Sequence, residues 1–100
     1  MRESTLERRA CEMIRQLGGI SYKWVSPGHP GIPDRICIMP GNRIVFIEFK
    51  KPYRKNGLSN RQWKACTRLQ GFGCAVWVVN DLEALRAKLE ALKGGEACRL

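Results

Sequence analysis

The sequence predicts one α/β domain with a mixed central sheet flanked by helices, in the order helix, three strands, helix, strand, helix. Three observations predict it. An apolar stripe at helical spacing fills the first seventeen or so residues. Two β-branched runs flank Pro40-Gly41-Asn42, and a continuous apolar run, Cys74 to Val79, stands between two further helical patterns. One hundred residues with a 44% hydrophobic share suffice for a single small core.

The first helix is read over Ser4 to Gly18, where Leu6, Ala10, Met13, Ile14 and Leu17 form one stripe and Gly18-Gly19 ends it. Glu7 borders that stripe and has two readings. In one, Ser4-x-x-Glu7 is a capping box; in the other, Glu7 turns toward the hairpin and adds a carboxylate to a metal site. Glu3 lies near the same angle but before the predicted helix, and ranks second. Ile20 to Val25 is a strand with Ile20, Tyr22 and Trp24 on one side. The Pro- and Gly-rich loop 26–33 leads straight into Asp34. Its His29, the single histidine of the chain, is either a solvent-facing loop residue or a contact to phosphate or base.

The hairpin comes next. With a three-residue loop, Met39 faces Arg43, Ile38 faces Ile44, Ile36 faces Phe46 and Asp34 faces Glu48. Asp34, Glu48 and Lys50 then share one face of the sheet. Opposed Cβ atoms lie roughly 4.5–5.5 Å apart, so the two carboxylates repel unless a cation sits between them. Hard oxygen ligands suit Mg²⁺ or Mn²⁺, and a lysine on the same face is placed to neutralise charge on a phosphate. A loop one residue shorter or longer would move Glu48 away from Asp34. The apolar run Ile44 to Ile47 suits a strand buried on both sides, where charges such as Glu48 and Lys50 are expensive unless paired or metal-bound. The competing reading is a plain Glu48–Lys50 pair at an exposed strand end.

Lys51, Pro52, Tyr53, Arg54 and Lys55 open a basic loop that either clamps phosphates or is a solvated turn. Ser59-x-x-Gln62 is a capping box opening a second helix, along which Arg61, Lys64 and Arg68 fall at spacings of three and four. Gly71-Phe72-Gly73 stops that helix. The run Cys74 to Val79 reads as a central buried strand. Asn80 or Asp81 caps a last helix carrying Leu82, Leu85, Leu89 and Leu92. Residues 1–95 form the expected domain, and 96–100 a loose tail.

Eighteen Lys and Arg against nine Asp and Glu give +9. That excess points to a polyanionic partner: DNA, RNA or an acidic membrane surface. No apolar run approaches the length of a membrane span, and the N-terminus is charged, so the expected setting is soluble and cytoplasmic. Five cysteines, odd in number and without a C-x-x-C pair, fit a reducing compartment better than a zinc site.

Pro33-Asp34 followed by Glu48-Phe49-Lys50 resembles the signature of the PD-(D/E)xK nucleases. The wider string is Gly31-Ile32-Pro33-Asp34-Arg35, then Phe46-Ile47-Glu48-Phe49-Lys50, with a helical Glu upstream and Ser-x-x-Gln downstream. This resembles the VRR-NUC branch and covers roughly Thr5 to Leu89. The resemblance implies a restriction-endonuclease-like αβββαβ core and a metal-dependent endonuclease that hydrolyses DNA phosphodiester bonds. It favours the metal-facing reading of Glu7, because related nucleases carry an acidic residue on the first helix. It implies Glu7, Asp34 and Glu48 as ligands of Mg²⁺ or Mn²⁺, with the main-chain carbonyl of Phe49 as a further one. Lys50 would position the attacking water, and Gln62 would lie near the active site. It also implies branched substrates such as Holliday junctions and, from their symmetry, a homodimer.

Basic residues around such a site (His29, Lys51, Arg54, Lys55, Arg61, Lys64, Arg68) would hold the DNA backbone. No base-reading device is evident, which favours recognition of shape. The alternative is a non-catalytic, basic nucleic-acid-binding module or a subunit of a replication or repair complex. Against it stands the acidic pair inside a basic field, which a pure binder does not need.

Overall fold

The computed structural model describes residues 1–51 and 57–94. Tyr53, Arg54 and Lys55 of the basic loop, and the tail 96–100, lie outside the described residues. The elements are α1 (Glu3–Gln16), β1 (Ile20–Lys23), β2 (Arg35–Met39), β3 (Arg43–Phe49), α2 (Asn60–Gly71), β4 (Ala75–Val79) and α3 (Leu82–Gly94). The strands form a mixed sheet in the order β1-β2-β3-β4. β1–β2 and β2–β3 are antiparallel, and β3–β4 is parallel. A parallel neighbour cannot be reached by a tight turn. The chain reaches it through α2.

The hairpin has the expected register: Met39 pairs with Arg43, Ile38 with Ile44 and Ile36 with Phe46. The turn reaches it with Gly41 at φ +86° and Asn42 at φ +61°, the left-handed region that these two residue types tolerate best. Alternation then sorts the side chains. Cys37, Met39, Val45, Ile47 and Phe49 are buried in one cluster with Leu6, Ala10 and Ile14 of α1 and Leu85 and Leu89 of α3. The stripes read on both helices are therefore the faces that cover the sheet. Burying each large apolar side chain in this layer contributes about 1.5–3 kcal/mol. The opposite sheet face carries Ile36, Phe46 and Glu48, with Trp24 stacked on Phe46 at a centroid distance of 5.0 Å.

Three expectations are corrected. The run Cys74 to Val79 is not central: β4 lies at the end of the sheet, its apolar character reflecting the cover of α2 and α3, and Val78 is 43% exposed. Ile44 is also exposed, so β3 is fully buried on the α1 side only. The first helix starts at Glu3, with Arg2 as its N-cap and no side-chain cap, so Ser4 and Glu7 do not form a capping box. Asp81 is the cap of α3, its Oδ1 accepting from the Glu83 amide at 3.0 Å. No helix among the described residues is long and apolar enough to cross a membrane.

Candidate active site

The end of the hairpin brings Asp34, Glu48, Lys50 and Gln62 together. β2 begins one residue after Asp34, whose carbonyl accepts from the Trp24 amide at 2.9 Å. Its carboxylate turns across to β3 and accepts from the Phe49 amide through Oδ2 at 2.8 Å. Glu48 sits at the end of β3, held on the other side by pairing with Val78 of β4. It is the buried charged side chain among the described residues, at 3% exposure. Burial and the nearby Asp34 charge push its carboxyl up to about 7, against the weaker opposing pull of Lys50.

Gln62 ties this cluster to α2. Its Nε2 donates to Glu48 Oε2 at 2.9 Å, and its Oε1 accepts from Lys50 Nζ. The same Oε1 accepts from the Ser59 amide at 3.1 Å, and the Gln62 amide donates to Ser59 Oγ at 3.2 Å. The capping box read in the sequence is thus present, and its second member also joins the acid to the amine. Lys50 Nζ lies 3.9 Å from Glu48 Oε2.

The loop before Asp34 presses directly on the start of α2. Gly31 has φ +88°, and a Cβ there would fall 2.5 Å from the Arg61 carbonyl and 2.8 Å from the Gln62 nitrogen. Only glycine lets the two backbones approach this closely. Sequence reading missed this, because a Pro- and Gly-rich loop does not say which of its glycines is a contact.

Glu7 is placed elsewhere. Its Oε2 accepts from Arg35 Nε at 2.7 Å and Lys23 Nζ at 3.0 Å. Arg35 alternates onto the face of Cys37 and Met39, opposite to Asp34 and Glu48. Burial works to raise the Glu7 carboxyl, but the hydrogen bonds and charges of Arg35 and Lys23 outweigh it and leave it lowered. Glu3, one turn earlier, is the first-helix acid whose charge acts on Glu48, and Lys23 acts on Glu48 as well. Lys23 was missed because β1 was read for its apolar side alone; the alternate side, Ser21 and Lys23, faces α1.

A carboxyl held below its ordinary value stabilises the fold above that value, and the contribution fades as pH falls through the lowered one. Glu7→Gln should therefore cost about 1–2 kcal/mol at pH 7, with the deficit shrinking below about pH 4. Urea unfolding of both proteins across pH checks this. A deficit independent of pH would mean that the ion pair is not its source.

His29, Arg61, Lys64 and Arg68 come together along one groove between the loop and α2. The His29 Nδ1 is 3.1 Å from Ser26 Oγ. Lys51 is exposed immediately beyond Lys50. Phe49 has a fully buried side chain, and its amide rather than its carbonyl meets Asp34.

Whether this cluster suits a divalent cation can be judged from its donors. Asp34, just before β2, and Glu48 of β3 offer carboxylate oxygens to one place, where burial first and then the Asp34 charge disfavour the ionised Glu48 that a bound cation would favour. Among the described residues no three His, Cys, Asp or Glu side chains are arranged to hold a metal. Magnesium is commonly held by one or two carboxylates, with waters and substrate phosphate completing the shell. The two carboxylates fit that pattern, and not an all-protein cage.

No family model matches the chain. A protein of Acyrthosiphon pisum secondary endosymbiont phage 1, bearing the name "Putative nuclease p44", is 44% identical over 92 residues, which cover 92% of this chain and 96% of that protein. A solved structure titled "VRR_NUC domain" superposes with a TM-score of 0.80 at 28% identity, covering 88% of this chain and 94% of the other. With the mixed sheet and the Asp34, Glu48 and Lys50 cluster at the hairpin end, these likenesses place the chain: it belongs to the VRR-NUC family of PD-(D/E)xK nucleases.

Proposed function

We propose that the protein is a Mg²⁺- or Mn²⁺-dependent endonuclease that hydrolyses DNA phosphodiester bonds and selects branched DNA such as Holliday junctions. The observation that carries this reading is a buried carboxylate, Glu48, set beside a second one and an amine, within a chain of net charge +9. A basic surface attracts phosphates. An acidic pocket within it has no use in binding them, unless a cation is bound there too.

Asp34 and Glu48 are the residues that would hold the cation, with the Phe49 carbonyl as a further donor by analogy with the family. When bound, a divalent cation supplies Lewis acidity, which acidifies water and shields phosphate charge. The chain's own residues do the rest. The Phe49 amide fixes the rotamer of Asp34. Gln62 orients Glu48 and Lys50 together, so that the amine is ready to hold the attacking water or a phosphate oxygen. Glu7 acts at one remove, by positioning Lys23. His29, Lys51, Arg61, Lys64 and Arg68, with Arg54 and Lys55, would grip the backbone. Symmetric cutting of a four-way junction would call for a homodimer. Residues 1–95 would serve as one nuclease domain. The unpaired thiols among the described residues suit a reducing, cytoplasmic setting.

Asp34→Ala and Lys50→Ala should each lower cleavage by about 10³-fold or more while leaving affinity for branched DNA within a few-fold. A labelled panel of junction, flap, fork and duplex, with and without Mg²⁺ or Mn²⁺, measures both. Full cleavage by either purified variant would end the assignment and favour a binding module.

A further inference from the structure

The groove between loop 26–33 and α2 differs in character from the catalytic cluster. It encloses about 340 Å³. Its floor is apolar, made by the half-buried Ile32 of the loop and Ala65 and Leu69 of the helix, with the exposed Pro30 at its edge. Its rim carries Arg61, Lys64 and Arg68, with His29 at the loop end, and no acidic residue lines it. The larger cavity beside α1 and β1 is unlike it, since Glu7 and Glu12 stand among its arginines and oppose an anion.

A groove that only gripped a duplex backbone would need cations but not an apolar floor. An apolar floor under a cationic rim matches a ligand with a flat, weakly polar face and attached phosphates. An unstacked nucleotide is such a ligand: its base lies on apolar, imidazole or guanidinium surface while its phosphates meet the cations. The volume is at the small end of the roughly 300–1,000 Å³ typical of small-ligand sites, the scale of a single nucleotide. The groove is also preformed, because the close approach of Gly31 to Arg61 and Gln62 fixes its two walls against each other. Gln62, next in the chain to Arg61, is the residue that touches Glu48 and Lys50. The groove and the catalytic cluster thus share the first turn of α2.

We propose that this groove holds one unpaired nucleotide of the DNA substrate, with its base on the apolar floor and its phosphates against Arg61, Lys64 and Arg68. This rests on the nuclease reading and narrows it: among branched DNAs, those with an unpaired nucleotide beside the branch, such as flaps and splayed forks, are held more tightly than a fully paired four-way junction.

The test uses the wild-type chain without divalent metal and three labelled DNAs of equal length: a blunt duplex, a duplex with a short unpaired arm, and the same arm carrying abasic sites next to the branch. The unpaired arm should bind about tenfold tighter than the blunt duplex, the gain expected for one stacked base. The abasic arm should fall to within about threefold of the blunt duplex. Ala65→Leu, which fills the floor without changing charge, should reduce the ratio of armed to blunt affinity toward one. Equal affinities for the normal and abasic arms, or a ratio unchanged in Ala65→Leu, would overturn the proposal. Cleavage of the same DNAs with Mg²⁺ separates the two readings. Cutting without preference for the unpaired base sinks the groove alone, whereas neither binding nor cutting by the wild-type chain sinks both.

Discussion

Glu48→Gln should abolish cleavage, by about 10³-fold or more, and should also make the metal-free protein more stable above pH 7. The two effects have one origin. In the folded chain the Glu48 carboxyl is pushed up to about 7, from an ordinary value of 4.5, by burial and by the Asp34 charge. Between those values the folded state keeps a proton that the unfolded chain has released. Stability therefore falls as pH rises through that window, and the loss levels off above it. A shift of this size corresponds to a loss of roughly 3 kcal/mol at pH 8. Glutamine removes the charge and keeps an oxygen for the Gln62 amide, so the variant should recover about 1–3 kcal/mol at pH 8, and the two proteins should converge below about pH 5. Mn²⁺ should reverse the ranking, since a ligand that binds only the folded wild type raises its stability by mass action. Thermal melts at pH 5 and pH 8, with and without Mn²⁺, provide the check. A variant less stable than wild type at pH 8 without metal would show that the buried charge is better neutralised than its surroundings indicate.

Gly31→Ala should be the most damaging single-methyl change in the loop. The residue combines φ +88° with backbone of α2 only 2.5 Å from where the methyl would stand. The dihedral alone costs about 1–2 kcal/mol. Relieving the overlap requires loop and helix to part, because all three atoms contacted are backbone. We expect a loss of about 3 kcal/mol or more in urea unfolding, and a further drop in cleavage among molecules that still fold, as Gln62 leaves Glu48 and Lys50. Gly28→Ala supplies the comparison. Its φ is +81°, but nothing lies within 4 Å of the added methyl, so only the dihedral cost remains. Equal losses for the two variants would mean that the contact between loop and helix carries no energy.

The parts of this molecule that were legible in the sequence are those set by local rules. Pro40-Gly41-Asn42 fixed the loop length, the loop fixed the register, and the pleat then placed Ile36 opposite Phe46 and brought Asp34 toward Glu48. The Ser59 and Gln62 cap needed only a spacing of three. What was not legible depended on tertiary arrangement. The apolar run of β4 suggests a central strand, yet a strand at the sheet margin reads the same way when helices lie over it. Glu3 and Glu7 differ by one helical turn. Which of them acts on Glu48 through its charge depended on where α1 begins and on Arg35 and Lys23, which claim Glu7. The apolar floor beneath Arg61, Lys64 and Arg68 arises only when a loop more than thirty positions upstream folds across α2.

The strand bearing Glu48 is paired antiparallel with β2 as far as Ile47 and parallel with β4 as far as Phe49, the residue before Lys50. Such a support behaves as an anvil. The acid and the strand beneath the amine cannot shift without breaking the β4 ladder on one flank and the Phe49–Asp34 hydrogen bond on the other, so the reacting geometry is set before any nucleic acid arrives. Accommodation then falls to the substrate. A stiff, uniform duplex must be distorted to meet this fixed surface, whereas DNA already interrupted by a branch arrives pliant, which makes mechanical compliance of the nucleic acid a criterion of selection in its own right.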